Sequence, residues 1–279
     1  MSRELYYGKP VLHFHGIGKN GIKNDLMVLK NWYIAFLKEK NMKKFMLFLG
    51  IIMIMSCSEG HVSLTEQNEA KKLCALTFDD GPSPDPDLTT LVLDKLEKHG
   101  VRATFFLVGE NITDSTAHVV DRMVANGHEI GNHSWSYEDM AGMSEGEIKK
   151  SINDTTDAII EYTGVNPLFF RPPNLSTSTS MFDAIDMPFA GGVVAGDWPG
   201  GGGDSVEHIM EKLMPEIRDG AIILLHDVQP EPHPTPEALD TLIPRLKKEG
   251  YEFVTLSELF RRKGLKPTGK EEKMWVHAE

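Results

Sequence analysis

From Leu73 to about residue 262, short apolar runs alternate with segments of helical spacing. This alternation constrains the fold more than any other feature. Runs at Leu73–Phe78, Arg102–Val108, Glu129–His133, Leu168–Phe170, Phe189–Ala195, Ala221–Leu225 and Tyr251–Thr255 read as strands. Leu88–His99, Ser115–Asn126, Ser144 to Tyr162, Asp204–Arg218 and Thr235–Glu249 read as helices, with a short one from Ser257. Gly100, Gly127, Gly164 and Gly220 follow helical segments as stop signals. Ser144 and Glu147 form a capping box, and Pro236 stands at the start of its helix. Apolar strands alternating with helices imply a parallel sheet covered on both faces. The expected fold class is α/β, a single domain over residues 72–262. About seven strand–helix units fit either a barrel or an open doubly wound sheet.

The segment before this domain differs in composition. Met42-Lys43-Lys44 precedes eleven uncharged residues, Phe45 to Met55, and then Ser56-Cys57-Ser58. A basic start, an apolar run too short for a bilayer and a small residue before Cys predict a secretion signal. The Ile54-Met55-Ser56-Cys57 end resembles a bacterial lipobox, which implies a lipid anchor on Cys57 and an envelope location. On this reading residues 42–57 are a lipoprotein signal peptide, translation starts at Met42 and residues 1–41 are an extension outside the protein. Residues 58–71 form a linker and 263–279 a tail.

Residues 1–56 hold nine of the 29 Lys/Arg and three of the 41 Asp/Glu, leaving 20 basic and 38 acidic residues, a net charge of −18, in the rest. So acidic a surface argues against nucleic acid or anionic lipid as partner. Beyond Cys57 the only cysteine is Cys74, in an apolar strand, so the domain has no disulfide framework or cysteine zinc site.

The polar residues fall in a pattern. Asp79-Asp80, His133, Arg171, Asp197 and His226 lie at or just past the C-terminal ends of expected strands. In α/β folds active sites form on that face. Two adjacent carboxylates are costly to hold together unless a cation compensates. Asp80 and His133 are therefore expected ligands of a divalent cation such as zinc or cobalt. Asp79 is expected to take a proton from water and His226 to protonate a leaving group. Arg171 would pair with Asp79, and Asp197 would orient His226 and raise its pKa. Gly200–Gly203 reads as a mobile loop beside the site.

In order along the chain, Thr77-Phe78-Asp79-Asp80-Gly81-Pro82, Gly127 to Ser134, Phe170-Arg171-Pro172-Pro173, Asp197-Trp198 and Leu224-Leu225-His226-Asp227 resemble the motifs of the polysaccharide deacetylase family. This is the nodulation-protein-B homology domain, carbohydrate esterase family 4. The likeness covers about residues 72–262. It implies a deformed (β/α) barrel and metal-dependent hydrolysis of N- or O-acetyl groups on a glycan. It implies Asp79 as base, Asp80 and His133 as metal ligands, and His226 as acid, with Arg171 and Asp197 supporting base and acid. Trp198 and Leu224 match residues that wall the acetyl pocket. Asn174 stands where the family usually has Tyr, whose backbone N–H helps bind the oxyanion.

The chain departs from the family at one position. A second metal-binding His is expected four residues after His133, and Tyr137 stands there. A phenol must lose a proton of pKa about 10 to bind a cation well. Tyr137 itself, Glu138, Asp139, His233 and water are the candidates for the missing ligand. The alternative is a degenerate barrel that binds glycan without cleaving it.

Overall fold

Strand β1, Lys72–Asp79, is buried from Leu73 onward and forms the axis of the sheet. In the computed structural model, residues 71–83 and 86–279 are described. The signal peptide, the Cys57 anchor, the extension 1–41 and nearly all of the linker lie outside the described residues.

Parallel strands flank β1 on both edges. β2, Thr104–Leu107, pairs with its C-terminal half and β7, Tyr251–Phe253, with its N-terminal half. β6, Ala221–His226, runs along the other edge and puts His226 level with Asp79. β3, Glu129–Asn132, pairs with β2, and β5, Val193–Val194, with β6. Phe170 bridges Asn132 at the end of β3 and Phe189 of β4, Phe189–Ala190. Because β4 leads through Gly191-Gly192 into β5, the series of neighbours returns to β6. This is a parallel α/β sheet closed as a deformed barrel, not an open doubly wound sheet.

The helices follow the expected alternation: α1 Pro86–His99, α2 Ala117–Ala125, α3 Glu145–Thr163, α4 Thr179–Ala184, α5 Val206–Leu213, α6 Thr235–Lys248 and α7 Leu256–Arg262. The Ser144/Glu147 capping box opens α3, and Gly164 ends it in the left-handed conformation at φ 68°. Buried faces of α1, α2, α5 and α6 pack on β1 and β6 side chains in one continuous core. Cys74 sits in that core, where burial pushes its thiol pKa up.

Four expectations need correction. The strand at Leu168–Phe170 shrinks to the bridges made by Phe170, since Pro172 and Pro173 lack the N–H groups that would extend it. The strand at Phe189–Ala195 splits at Gly191-Gly192. The helix expected over Asp204–Arg218 is only Val206–Leu213, and Ser205, not Asp204, caps it by accepting from the His208 N–H. The tail 263–279 belongs to the fold. Its strand β8, Met274–Trp275, pairs with β4, and His277 bridges Ala221. Two-residue strands and the six-residue α4 are too short to show a period.

Candidate active site

The turn after β1 is the foundation of the site. Asp79 is its last strand residue and is 3 % exposed. Arg171, fully buried just past Phe170, places Nη1 2.6 Å from Asp79 Oδ1. The rest of the guanidinium is fixed as well. Nε donates to Ala190 O at 3.0 Å, Nη2 to Gly191 O at 2.5 Å, and the group lies over the Phe106 ring at 4.2 Å. The buried Asp79 carboxyl is thus paired with a cation that has no freedom to leave.

Asp80 takes φ 83°, unusual for a residue with a side chain. Its Oδ2 accepts from Gln229 Nε2 at 3.0 Å and its carbonyl from Asn111 Nδ2 at 3.1 Å. His133 Nδ1 lies 2.7 Å from the Arg171 carbonyl, so that nitrogen is the donor and Nε2 is the atom turned toward Asp80. Nε2 stands 3.4 Å from Asp80 Oδ1, too long for a strong hydrogen bond. Two ligands of one zinc- or cobalt-sized cation, each at about 2.0–2.2 Å, take up such a separation. Burial lowers the His133 pKa, but the Asp79 and Asp80 charges outweigh it and the net shift is upward. The field that holds a proton there suits a cation equally. Asp80 and His133 therefore fit a divalent metal.

Tyr137 lines the same cavity. Its hydroxyl donates to the Asp80 carbonyl at 3.0 Å, and partial burial and the Asp80 charge push its phenol pKa up. The substitute candidates lie elsewhere. Asp139 accepts from Ala141 N–H, and Glu138 lines a separate hollow beside Trp135. His233 is buried away from the cavity lining, with neither ring nitrogen hydrogen-bonded. Among the described residues no three His, Cys, Asp or Glu side chains gather as a metal cage.

On the opposite wall His226 ends β6. Asp197 Oδ1 is 2.9 Å from its Nδ1, and Asp197 Oδ2 accepts from the His226 N–H at 2.9 Å and from Thr235 Oγ1 at 2.6 Å. Burial lowers the His226 pKa, but the Asp197 hydrogen bond and charge outweigh it, raising the value to about 9. The ring is protonated at neutral pH.

These groups face one cavity of about 450 Å³. Asp79, Asp80, His133 and His226 line one part of it. Val194, Trp198, Leu224 and Pro199 give it an apolar pocket, with the Trp198 ring edge-on to His226 at 5.5 Å. Asn174 lines it too, in the left-handed conformation at φ 56°. The glycine loop beside Trp198 is tied by Gly201 N–H to Trp198 O and Gly203 N–H to Gly196 O.

The structure thus gathers every site residue expected from the sequence into one cavity or directly behind it. It adds Gln229 and Asn111 on Asp80 and Thr235 on Asp197, which the sequence reading missed. Gln229 follows His226 by three residues in a strand-end loop, a usable hint; Asn111 gives none.

Residues 66–187 match the family described as polysaccharide deacetylase. A bifunctional xylanase/deacetylase of Pseudobutyrivibrio xylanivorans is 44% identical over 224 residues, 80% of this chain and 36% of that one. A peptidoglycan-N-acetylglucosamine deacetylase of Bacillus cereus is 34% identical over 210 residues, 73% of this chain and 95% of that one. Among solved structures, a family 4 acetyl xylan esterase of Clostridium thermocellum, in complex with a cobalt ion, superposes with a TM-score of 0.71 at 55% identity, covering 74% of this chain and 98% of that one. The chain spans 36% and 42% of the length of the first curated relatives it matches.

Proposed function

The chain belongs to the polysaccharide deacetylase family, and on that premise we propose that it hydrolyses acetyl groups from an acetylated glycan with the help of a divalent cation. One observation above all supports this. The Asp79 carboxyl held by Arg171 and a protonated imidazole held by Asp197 face each other across a single cavity. A barrel that only bound glycan would have no need of both.

Asp80 and His133 would hold the cation, which when bound would supply Lewis-acid polarisation of the acetyl carbonyl and of a water beside it. Asp79 takes one proton from that water as its oxygen bonds to the carbonyl carbon. The Asn174 backbone N–H is assigned to the oxyanion that develops. Collapse of the tetrahedral centre breaks the bond from the acyl carbon to the glycan nitrogen or oxygen. His226 gives its proton to that leaving atom, and acetate and the free amine or alcohol result. Leu224, Val194 and Trp198 enclose the methyl group and exclude water from it.

The substrate we favour is O-acetylated xylan. Support comes from the likeness to the xylanase/deacetylase of Pseudobutyrivibrio and the acetyl xylan esterase of Clostridium. The cobalt ion in the latter supports the cation, with zinc as the alternative. Peptidoglycan N-acetylglucosamine is the second reading, favoured by the Bacillus cereus relative. The Cys57 lipid anchor and the envelope location belong to this proposal as well. Among the described residues no helix is long and apolar enough to cross a membrane.

The test is acetate release from acetylated xylan and from peptidoglycan, with cobalt, with zinc and with chelator. Cation-dependent release that the Asp79→Asn variant lacks is the expected result. A folded protein that releases nothing from either glycan overturns the reading in favour of a non-catalytic barrel.

A further inference from the structure

The turn that presents Asp80 has an anchor for which the proposed reaction has no use. Asp227 follows His226 at the end of β6 and is fully buried. Its Oδ1 accepts from the Gly81 N–H at 3.1 Å and its Oδ2 from Thr89 Oγ1 at 2.6 Å. Thr89 Oγ1 in turn accepts from the Ser83 N–H at 2.9 Å. The Asp227 N–H donates to the Asp79 carbonyl at 3.2 Å. These four bonds grip the chain on both sides of Asp80. The residue between them is the one held at φ 83°, a conformation that persists only where its surroundings over-determine it.

The fit is close. A Cβ on Gly81 would lie 2.3 Å from Asp227 Oδ2, so the carboxylate occupies the space a side chain would need. The chemistry is also specific. Two donors aim at the group, one at each carboxyl oxygen, whereas an amide would turn an NH₂ toward one of them. Placing a third carboxylate beside Asp79 and Asp80 is costly unless those bonds are needed.

We propose that Asp227 is a positioning residue, which through Gly81 and Thr89 holds the Asp80 carboxylate toward the cation site opposite His133. The inference rests on the cation reading above and extends it to the layer behind the ligands, where such partners typically change metal affinity 10–100-fold.

The test is calorimetric titration of the full chain with cobalt(II) chloride, with the visible spectrum of bound cobalt and a crystal structure of the Asp227→Asn variant. Asp227→Asn is expected to bind cobalt about 10–100-fold more weakly, with an altered spectrum and with Asp80 displaced. Cobalt affinity within twofold of the wild type, or an Asp80 that keeps its place and positive φ, overturns the proposal. If the wild type binds no cobalt, the cation reading falls, and the crystal structure alone decides whether Asp227 holds Asp80. If Asp227→Asn does not fold, Thr89→Val removes one donor and leaves the carboxylate. Several-fold weaker cobalt binding is then expected, and unchanged binding and spectrum overturn the proposal.

Discussion

Arg171 Nη1 lies 2.6 Å from Asp79 Oδ1, and both side chains are buried. This pair explains how two neighbouring aspartates coexist at the end of β1. The guanidinium answers the charge of Asp79 from behind and leaves Asp80 free to face His133. Arg171→Met keeps the volume and removes the charge, so Asp79 becomes a buried, unpaired carboxylate. We expect a loss of about 3–5 kcal/mol of stability, measured by urea unfolding. A loss below about 1 kcal/mol contradicts this account of the pair.

His226 makes stability depend on pH in a defined window. Its folded pKa, about 9, exceeds the unfolded value of about 6.5. The folded state therefore binds the proton more tightly. Its contribution is fully present below about pH 6.5 and is lost as pH rises through 9. Unfolding of the wild type and Asp197→Asn across pH 6–10, without metal, should show the difference between them shrinking through that window. NMR titration of the His226 ring gives the pKa directly, and a value near 6.5 would refute the assignment.

Tyr137 is a hydrogen-bond donor to the Asp80 carbonyl and a neutral phenol. Tyr137→Phe removes that bond and no ligand, so cobalt affinity should stay within about threefold. Tyr137→His puts an imidazole where the family carries its second histidine, and affinity should rise at least tenfold. A Tyr137→Phe variant that loses cobalt altogether would make the phenol a ligand.

Gln229 holds the second oxygen of Asp80 at 3.0 Å. Gln229→Ala frees that carboxylate to rotate. Acetate release should fall about 10–100-fold, with the melting temperature nearly unchanged, because the side chain supports a ligand and little else. Equal activity in variant and wild type, compared at saturating cobalt and at limiting cobalt, would show that Gln229 is dispensable.

Much of the site was legible because its residues sit in local patterns. Asp79-Asp80, His133 and His226 each lie at or just past the end of a strand, and a parallel sheet sends all such ends to one face. The alternation of strands and helices, the Ser144/Glu147 cap and the Gly164 stop were readable for the same reason: each depends on neighbours within a few residues. Closure of the barrel was not legible from spacing, because it runs through the single residue Phe170 and the Gly191-Gly192 break. The likeness of motifs supplied it instead. Strand β8 left no pattern either, since two residues cannot show a period.

The sequence by itself determined the α/β class, the face that holds the polar residues and the identity of the groups able to do acid, base and ligand chemistry. It also named Arg171 as the partner of Asp79 and Asp197 as the partner of His226. Only the tertiary structure decided the remaining pairs: Gly81 meets Asp227 across 146 positions, and Asp80 meets Gln229 across 149. Hydrogen bonds and ion pairs act over about 3 Å in space, and separation along the chain does not encode that distance. For the same reason the role of Tyr137 waited for the fold: its sequence position suits a ligand, and its hydroxyl donates to a backbone carbonyl.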